Sequence, residues 1–145
     1  MKIYILADLE GITGIDRMAQ VKRDQADYRS GCALLTAELN VAVEAARAAG
    51  ASEVVVCDTH GGGGQLDLAA LDPRAVYETP NAGRLMPALD ASFAGVILLG
   101  HHAMAGTQDA FLEHTMSSLS WFEYRLDDRP VGEIAIEAAW AGHYG

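Results

Sequence analysis

Residues 53–60 read Glu-Val-Val-Val-Cys-Asp-Thr-His, and four consecutive glycines, Gly61–Gly64, follow them. The apolar, β-branched part of this stretch, Glu53–Cys57, has the composition of a strand that is buried on both faces of a parallel sheet. Asp58 and His60 come directly after it, where the chain leaves the predicted strand. Ligands of open α/β sheets bind outside the carboxyl ends of the strands, so these two residues are candidates for a functional site.

Two further apolar stretches end in the same way. Lys2–Ala7 is followed by Asp8 and Glu10, and Gly95–Leu99 is followed, after one glycine, by His101–His102. The carboxyl ends of parallel strands lie at one edge of a sheet, so we expect these side chains to gather in one crevice.

The segments between the strands predict helices and turns. Cys32–Ala49 repeats apolar residues at three- and four-residue spacings and ends at Gly50, which is typical of an amphipathic helix. A strand, a helix and a second strand in succession predict a right-handed, parallel βαβ unit. The other predicted elements are helices at Leu66–Leu71, Arg84–Ala91 and within Val131–Trp140, strands at Val76–Glu78 and Trp121–Leu126, and a turn at Asp127–Pro130. We therefore predict one α/β domain over residues 1–145, a three-layer sandwich with a mostly parallel sheet and a metal site at the C-terminal edge of its strands.

Composition and charge narrow the classes of partner. The chain has 145 residues, half of them apolar, which is enough for one globular core. A formal net charge of -10 argues against binding to nucleic acid or to anionic membranes. Met1–Asp8 lacks the pattern of a signal peptide, and no apolar run is long enough to span a bilayer, so we expect a cytoplasmic protein. Cys32 and Cys57 show no pairing pattern and are predicted to be buried free thiols.

The residue types at the strand ends favour a borderline cation. Carboxylates combined with imidazoles suit zinc, with manganese or cobalt as substitutes. A carboxylate shared between two cations would permit a bimetallic site, which can generate hydroxide near neutral pH and polarise a carbonyl oxygen. Amide hydrolysis requires this chemistry.

Each residue also has a structural interpretation. A single Asp after a strand is more often a helix cap or a turn former, and a single His is more often a hydrogen-bonded structural residue. Glu133 could simply favour the first turn of a helix, where the helix dipole attracts a negative charge. Gly61–Gly64 lacks the residues of a phosphate-binding loop and is interpreted as a flexible bend or a close backbone approach beside His60. Repetition at three strands favours the metal site over these alternatives.

Five short motifs follow one another in a fixed order along the chain. They are Asp8-Leu9-Glu10-Gly11-Ile12, Asp58-Thr59-His60, Gly100-His101-His102, His114 and Asp128-Arg129-Pro130-Val131-Gly132-Glu133. They cover nearly the whole chain, and the first and the last are the most specific. Together they resemble the zinc-dependent D-aminopeptidase family, peptidase family M55.

The resemblance implies a site with two zinc ions per subunit, with Mn²⁺ or Co²⁺ as substitutes. Asp8 would bridge the ions, and Glu10, His60, His102 and Glu133 would complete the two coordination shells. His114 matches the family's catalytic histidine, described as a nucleophile; a general base would suit an imidazole equally well.

The resemblance also implies a substrate, an assembly and a chain length. The substrates would be short peptides that contain D-amino acids, such as D-Ala-D-Ala, and the assembly would be a homo-oligomer, specifically a ring-shaped decamer. Family members are nearly twice as long, so we expect this chain to correspond to the N-terminal part of the family fold. Two alternative functions remain open: a truncated, inactive metal-binding module, and another metal-dependent hydrolase such as an amidase or a phosphoesterase.

Overall fold

The structure, a computed structural model, describes residues 1–80 and 84–144 and confirms the α/β fold. Its main sheet contains four parallel strands in the order β3-β2-β1-β4. These strands are β1 (Lys2–Ala7), β2 (Glu53–Asp58), β3 (Val76–Glu78) and β4 (Phe93–Leu99). A separate antiparallel hairpin consists of β5 (Tyr124–Leu126) and β6 (Arg129–Val131). Within the described residues, the α-helices are α1 (Tyr28–Ala48) and α2 (Glu133–Gly142), and single 3-10 turns lie at Met18–Gln20 and His60–Gly62.

The core forms on both faces of the sheet, which explains why β1 and β2 are apolar at nearly every position. On one face, Ile5 and Ala7 pack in a cluster with Leu35, Leu39 and Val43 of α1. The cluster on the opposite face contains Tyr4, Leu6, Met86 and Leu89, and partly buried residues of the C-terminal segment, Ala141 and Tyr144, pack against it. The sheet is thus flanked by helices, as predicted.

The strand register aligns the ends of three strands. Ala7 pairs with Asp58 of β2 on one side and with Leu99 of β4 on the other. Just beyond these pairs, the backbone N–H of Asp8 donates to Leu99 O at 2.8 Å, and that of Thr59 donates to Ala7 O at 2.9 Å. The residues that follow β1, β2 and β4 therefore lie side by side at one edge of the sheet.

Two predicted helices are wrong. Leu66–Leu71 contains only a turn, where the Asp67 side chain accepts the backbone N–H of Ala69 at 3.1 Å and so competes with helix formation. Arg84–Ala91 is also irregular, and Pro87 in its middle removes a backbone donor and obstructs a helix.

Other boundaries differ by smaller amounts. Helix α1 begins at Tyr28, four positions before the predicted start at Cys32, and β4 begins at Phe93 rather than Gly95. Of the predicted strand Trp121–Leu126, the structure contains only its last three residues, as β5. Both cysteines are free thiols; Cys57 is buried, but Cys32 is only half-buried. Within residues 1–80 and 84–144, the helices are too short or too polar to cross a bilayer.

Candidate metal centre

Asp8, Glu10 and His60 form a group, called here the first cluster, beyond the ends of β1 and β2. Each offers a nitrogen or oxygen atom, and these atoms lie within 4.8 Å of one another. His60 Nδ1 is 2.8 Å from Glu10 Oε2 and 3.3 Å from Asp8 Oδ1. Both carboxylates are at least nine-tenths buried. Two strand ends that are adjacent in the sheet thus bring these three side chains together.

Asp58 and the four glycines position His60. The buried carboxylate of Asp58 is not part of the first cluster; instead its Oδ2 accepts the backbone N–H of Gln65 at 2.8 Å. The chain reaches Gln65 through Gly61–Gly64, all of which have positive φ, a conformation that other residues rarely adopt. In addition, the Gln65 side chain donates to His60 O at 2.6 Å. The glycine run is therefore a tight backbone turn that supports His60.

His102, His114 and Glu133 form a second cluster, whose donor atoms also lie within 4.8 Å of one another. His102 follows β4, His114 lies in the loop that comes next, and Glu133 is the first residue of α2. His102 Nε2 is 3.3 Å from Glu133 Oε2, and the rings of His102 and His114 stack with centroids 3.6 Å apart. Glu133 Oε2 also accepts the backbone N–H of Met116 at 2.6 Å.

Asp8 lies between the two clusters. Its Oδ1 is 3.3 Å from His60 Nδ1, whereas its Oδ2 is 3.5 Å from His102 Nε2. Each carboxylate oxygen therefore faces one cluster, which is the arrangement that a carboxylate shared by two cations requires.

The loops that carry the two clusters cross in direct backbone contact. Gly11 N–H donates to Gly100 O at 2.7 Å. A Cβ at Gly11 would lie 2.2 Å from His101 O, and one at Gly100 would lie 2.2 Å from Asp8 O. Any other residue at these two positions would push the loops apart, so the glycines permit the clusters to share Asp8.

The charges in the first cluster are strongly coupled. Burial alone would lower the pKa of His60, but hydrogen bonds and charges from Asp8 and Glu10 raise it to about 10. Burial would likewise raise the pKa of Glu10, whereas the hydrogen bond from His60 and its charge lower it to about 2. The carboxylates therefore stabilise a positive charge at this point of the structure.

The second cluster has the same electrostatic character. Burial would lower the pKa of His102, but the hydrogen bond to Glu133 and the backbone carbonyl of Ala103 raise it to about 9. Burial opposes ionisation of Glu133, yet the His102 contact and the Met116 N–H lower the pKa of this carboxyl group.

The donor chemistry fits cation binding. In each of the three imidazoles, one nitrogen contacts a backbone carbonyl oxygen: His60 Nε2 contacts Val21 O at 3.0 Å, His102 Nδ1 contacts Ala103 O at 3.0 Å, and His114 Nδ1 contacts Leu112 O at 2.7 Å. Because a ring N–H must donate to the carbonyl, the neutral ring presents the lone pair of its other nitrogen. In His60 and His102, that other nitrogen is the atom that faces the carboxylates. Buried carboxylates that face such lone pairs are typical of metal sites. An unpaired buried charge is costly, and a bound cation neutralises it.

The structure thus brings together all six predicted site residues: Asp8, Glu10, His60, His102, His114 and Glu133. Two other residues at the strand ends, Asp58 and His101, contact different parts of the chain. His101 contacts Glu137 instead of either cluster, with its Nε2 2.5 Å from Glu137 Oε2. Sequence reasoning missed Glu137, which is completely buried in α2. Its position one helical turn after Glu133 was the signal that could have identified it, because residues four apart lie on one face of a helix.

A cavity of about 310 Å³ opens beside His114. It is lined by both polar and apolar side chains, namely Glu113, His114, Ser118, Leu119, Ser120, Trp121 and Phe122 with Ala105 and Gly106. Within the second cluster, His114 is therefore accessible to a small molecule in this cavity.

Comparisons with known proteins identify the family of this chain. A D-aminopeptidase of Bacillus subtilis strain 168 is 32% identical over 146 residues, which cover 99% of this chain and 53% of the relative. The solved structure of DppA from Bacillus subtilis, described as a Zn-dependent D-aminopeptidase and a self-compartmentalizing protease, superimposes with a TM-score of 0.92 at 33% identity. That superposition covers 99% of this chain and 53% of DppA, so the chain spans about half the length of the relatives it matches. The sequence profile of peptidase family M55, described as D-aminopeptidase, matches residues 1–145, and the chain therefore belongs to the M55 D-aminopeptidase family.

Proposed function

We propose that the two clusters hold two zinc ions and that this site hydrolyses the N-terminal amide bond of short peptides containing D-amino acids, such as D-Ala-D-Ala. The observation that carries the proposal is the position of Asp8, with one carboxylate oxygen facing each cluster. The description of DppA as Zn-dependent supports the choice of metal. Mn²⁺ and Co²⁺ would be substitutes, because the same oxygen and nitrogen donors accept them.

Five residues would hold the ions. Glu10 and His60 would bind the first ion, His102 and Glu133 the second, and Asp8 both. Bound zinc supplies Lewis acidity, which polarises a carbonyl group and lowers the pKa of water. The carbonyl contacts of His60 and His102 keep each ring in the tautomer that binds a cation, and such contacts fix the orientation of the ring.

His114 is proposed as the catalytic residue. Its Nδ1–H donates to Leu112 O at 2.7 Å, which leaves Nε2 to accept a proton from the attacking water and to pass it to the departing amine. Its ring borders the cavity of about 310 Å³, so a substrate in that cavity would lie within its reach. This general acid–base role requires no covalent bond to the imidazole.

The assembly and the location are parts of the same proposal. Because DppA is described as self-compartmentalizing, we propose that this protein also works as a homo-oligomer, with a decamer as the first state to test. We propose a cytoplasmic location and peptide substrates rather than nucleic acid or membrane partners.

Release of D-Ala from D-Ala-D-Ala in the presence of zinc tests the proposed function, with L-Ala-L-Ala as the comparison substrate. Glu10→Ala and His60→Ala should each lower activity at least about 100-fold, since changes to residues that merely support a metal ligand already cost 10–100-fold. Glu53→Ala is the matched control, because Glu53 forms a surface ion pair with Lys2 at 3.2 Å. Wild-type activity in both cluster variants would refute the mechanism.

A second candidate function is a cation-binding module without turnover. The observation that favours it is coverage: 53% of DppA has a counterpart in these 145 residues, and the rest does not. Uptake of two zinc equivalents without hydrolysis of D-peptides, L-peptides, simple amides or phosphate esters would support this candidate. Hydrolysis of an amide or a phosphate ester alone would instead indicate a different metal-dependent hydrolase.

A further inference from the structure

Two buried polar side chains beside the second cluster, His101 and Glu137, take no part in the site described above. Their side chains are only 2% and 0% exposed, and His101 Nε2 lies 2.5 Å from Glu137 Oε2. The contact is a close ion-pair contact rather than an aligned hydrogen bond, and neither residue has another side-chain hydrogen-bond partner within the described parts of the chain.

Such a contact is a weak way to stabilise a fold. Removing a carboxylate and an imidazole from water is costly for each charged group, and apolar pairs of similar volume are often as stable or more stable. The pair therefore needs an explanation other than folding stability.

The positions of His101 and Glu137 in the chain provide such an explanation. His101 directly precedes His102, and Glu137 lies one helical turn after Glu133. The contact thus joins the loop after β4 to α2, which are the two segments that carry the facing donors of the second cluster. No strand pairing connects these segments within the described residues, whereas β1 and β2, which position the first cluster, pair along their whole length.

The position of His102 Nε2 depends on the backbone that the contact between His101 and Glu137 holds in place. His102 Nδ1 contacts Ala103 O at 3.0 Å, so the local backbone sets the direction of Nε2. A shift of the backbone at His101 would therefore move Nε2 relative to Glu133.

We propose that His101 and Glu137 are a positioning pair, which holds the first turn of α2 against the loop after β4 and so sets the separation between His102 and Glu133 for binding the second cation. The inference rests on the two-cation site proposed above. It assigns no direct contact with the cation to either residue.

Zinc titration of the full chain against a chromophoric chelator tests the inference. Glu10→Ala and Glu133→Ala identify which binding step belongs to which cluster. Glu137→Gln, which keeps the shape of the side chain, and the double variant His101→Leu/Glu137→Leu, which replaces the whole contact with apolar groups, should weaken the second-cluster step about 10- to 100-fold. The first-cluster step should change less than about threefold, because strand pairing positions that cluster independently. The control is Glu44→Gln, an exposed carboxylate on α1.

A second readout separates positioning from folding. The double variant should retain cooperative unfolding, and its cobalt-loaded form should lose the visible absorption bands of one site. Unchanged affinity at both steps in folded Glu137→Gln and in the double variant would overturn the inference, as would equal losses at both clusters. If the double variant does not fold, Glu137→Gln and His101→Gln decide the question by the same criterion. Fewer than two zinc ions in the wild type would overturn the proposed function and this inference with it. Two ions bound with wild-type affinity in folded Glu137→Gln and in the double variant would overturn the inference alone.

Discussion

The two clusters have similar donors but are held in place differently. The first cluster extends directly from β1 and β2, whose parallel pairing continues through Ala7 and Asp58. The second cluster gathers residues from three separate segments after β4. In its loop, Leu112 and Met116 lie two residues to either side of His114, and both have positive φ, at 51° and 62°. Left-handed backbone is costly for such residues and occurs most often at functional sites.

This difference shows that regular strand pairing positions the first cluster, whereas irregular contacts between loops and α2 position the second. The first cluster should therefore tolerate changes that lie outside the sheet and outside the Gly61–Gly64 turn, whereas the second should respond to changes in loops and in α2. The following predictions test this contrast, from the largest expected effect to the smallest.

Removing the carboxylate of Asp8 should affect both clusters alike and so abolish the difference between them. Asp8→Ala takes a donor from both clusters, so zinc content should fall at both steps and D-peptide hydrolysis should fall more than about 10⁴-fold, because enzymes rarely accelerate reactions by less than 10⁶. Zinc per chain by mass spectrometry and D-Ala release measure the two effects. Asp16→Ala, which removes an exposed carboxylate, is the control. A variant that keeps one tightly bound ion and most of its activity would show that Asp8 is not shared.

A change in the second cluster alone should separate cation binding from proton transfer. His114→Gln should lower kcat about 10²- to 10⁴-fold, the usual contribution of a general acid–base residue, while both zinc ions remain bound. Kinetics and zinc content are measured on the same preparation. Loss of one ion would instead assign His114 as a ligand of the second cation.

The backbone crossing between the clusters should be sensitive to a single methyl group. Gly100 has φ +72°, and a Cβ there would lie 2.2 Å from Asp8 O. Gly100→Ala should therefore lower the free energy of unfolding by about 2–5 kcal/mol, from left-handed strain together with overpacking.

Gly50→Ala is the matched control for Gly100→Ala. Gly50 also has positive φ, at +93°, but a Cβ there would meet nothing within 4 Å. This variant should lose only about 1–2 kcal/mol. Urea unfolding measures both variants, and equal losses would indicate that the crossing adds no steric constraint.

The smallest predicted effect is the dependence of folding stability on pH that His60 and Glu10 of the first cluster produce. In protein stripped of zinc by a chelator, His60 has a pKa of about 10 when folded and about 6.5 when unfolded. Its contribution to stability is complete below pH 6.5 and is lost as the pH rises through 10. Glu10, with a folded pKa of about 2 against 4.5 unfolded, contributes fully above pH 4.5 and loses its contribution as the pH falls through 2.

Stripped protein should therefore be less stable at pH 9.5 than at pH 6, by on the order of 2 kcal/mol. Thermal or urea unfolding at the two pH values measures the difference, and His60→Gln should reduce it. A difference that His60→Gln leaves unchanged would assign the pH dependence to other groups.

The same contrast explains how much could be predicted from the sequence. Strands β1, β2 and β4 and helix α1 were predicted because continuous apolar runs and a three-to-four spacing encode them locally. The strand ends then indicated six candidates: Asp8, Glu10, Asp58, His60, His101 and His102. The resemblance selected Asp8, Glu10, His60 and His102 from them. The resemblance contributed His114 and Glu133, whose local sequence gave no decisive signal.

Long-range contacts account for what was missed. The helix face that Glu137 shares with Glu133 is a local pattern, but the contact of Glu137 with His101 depends on the packing of α2 beside the loop after β4. The false helix at Leu66–Leu71 arose because apolar spacing was considered without the competing hydrogen bond from Asp67. Asp58 followed the pattern of a ligand, but the turn at Gly61–Gly64 directs its carboxylate to the backbone of Gln65.

The contact between Gly11 and Gly100 has a consequence for altering metal preference. Because main-chain atoms meet there with no side chain between them, the distance separating the two halves of the centre is a property of the polypeptide backbone. Exchange of donor residues can change the type of ion that each half accepts. Redesign aimed at a wider or narrower interval between the two clusters would have to rebuild the loops themselves.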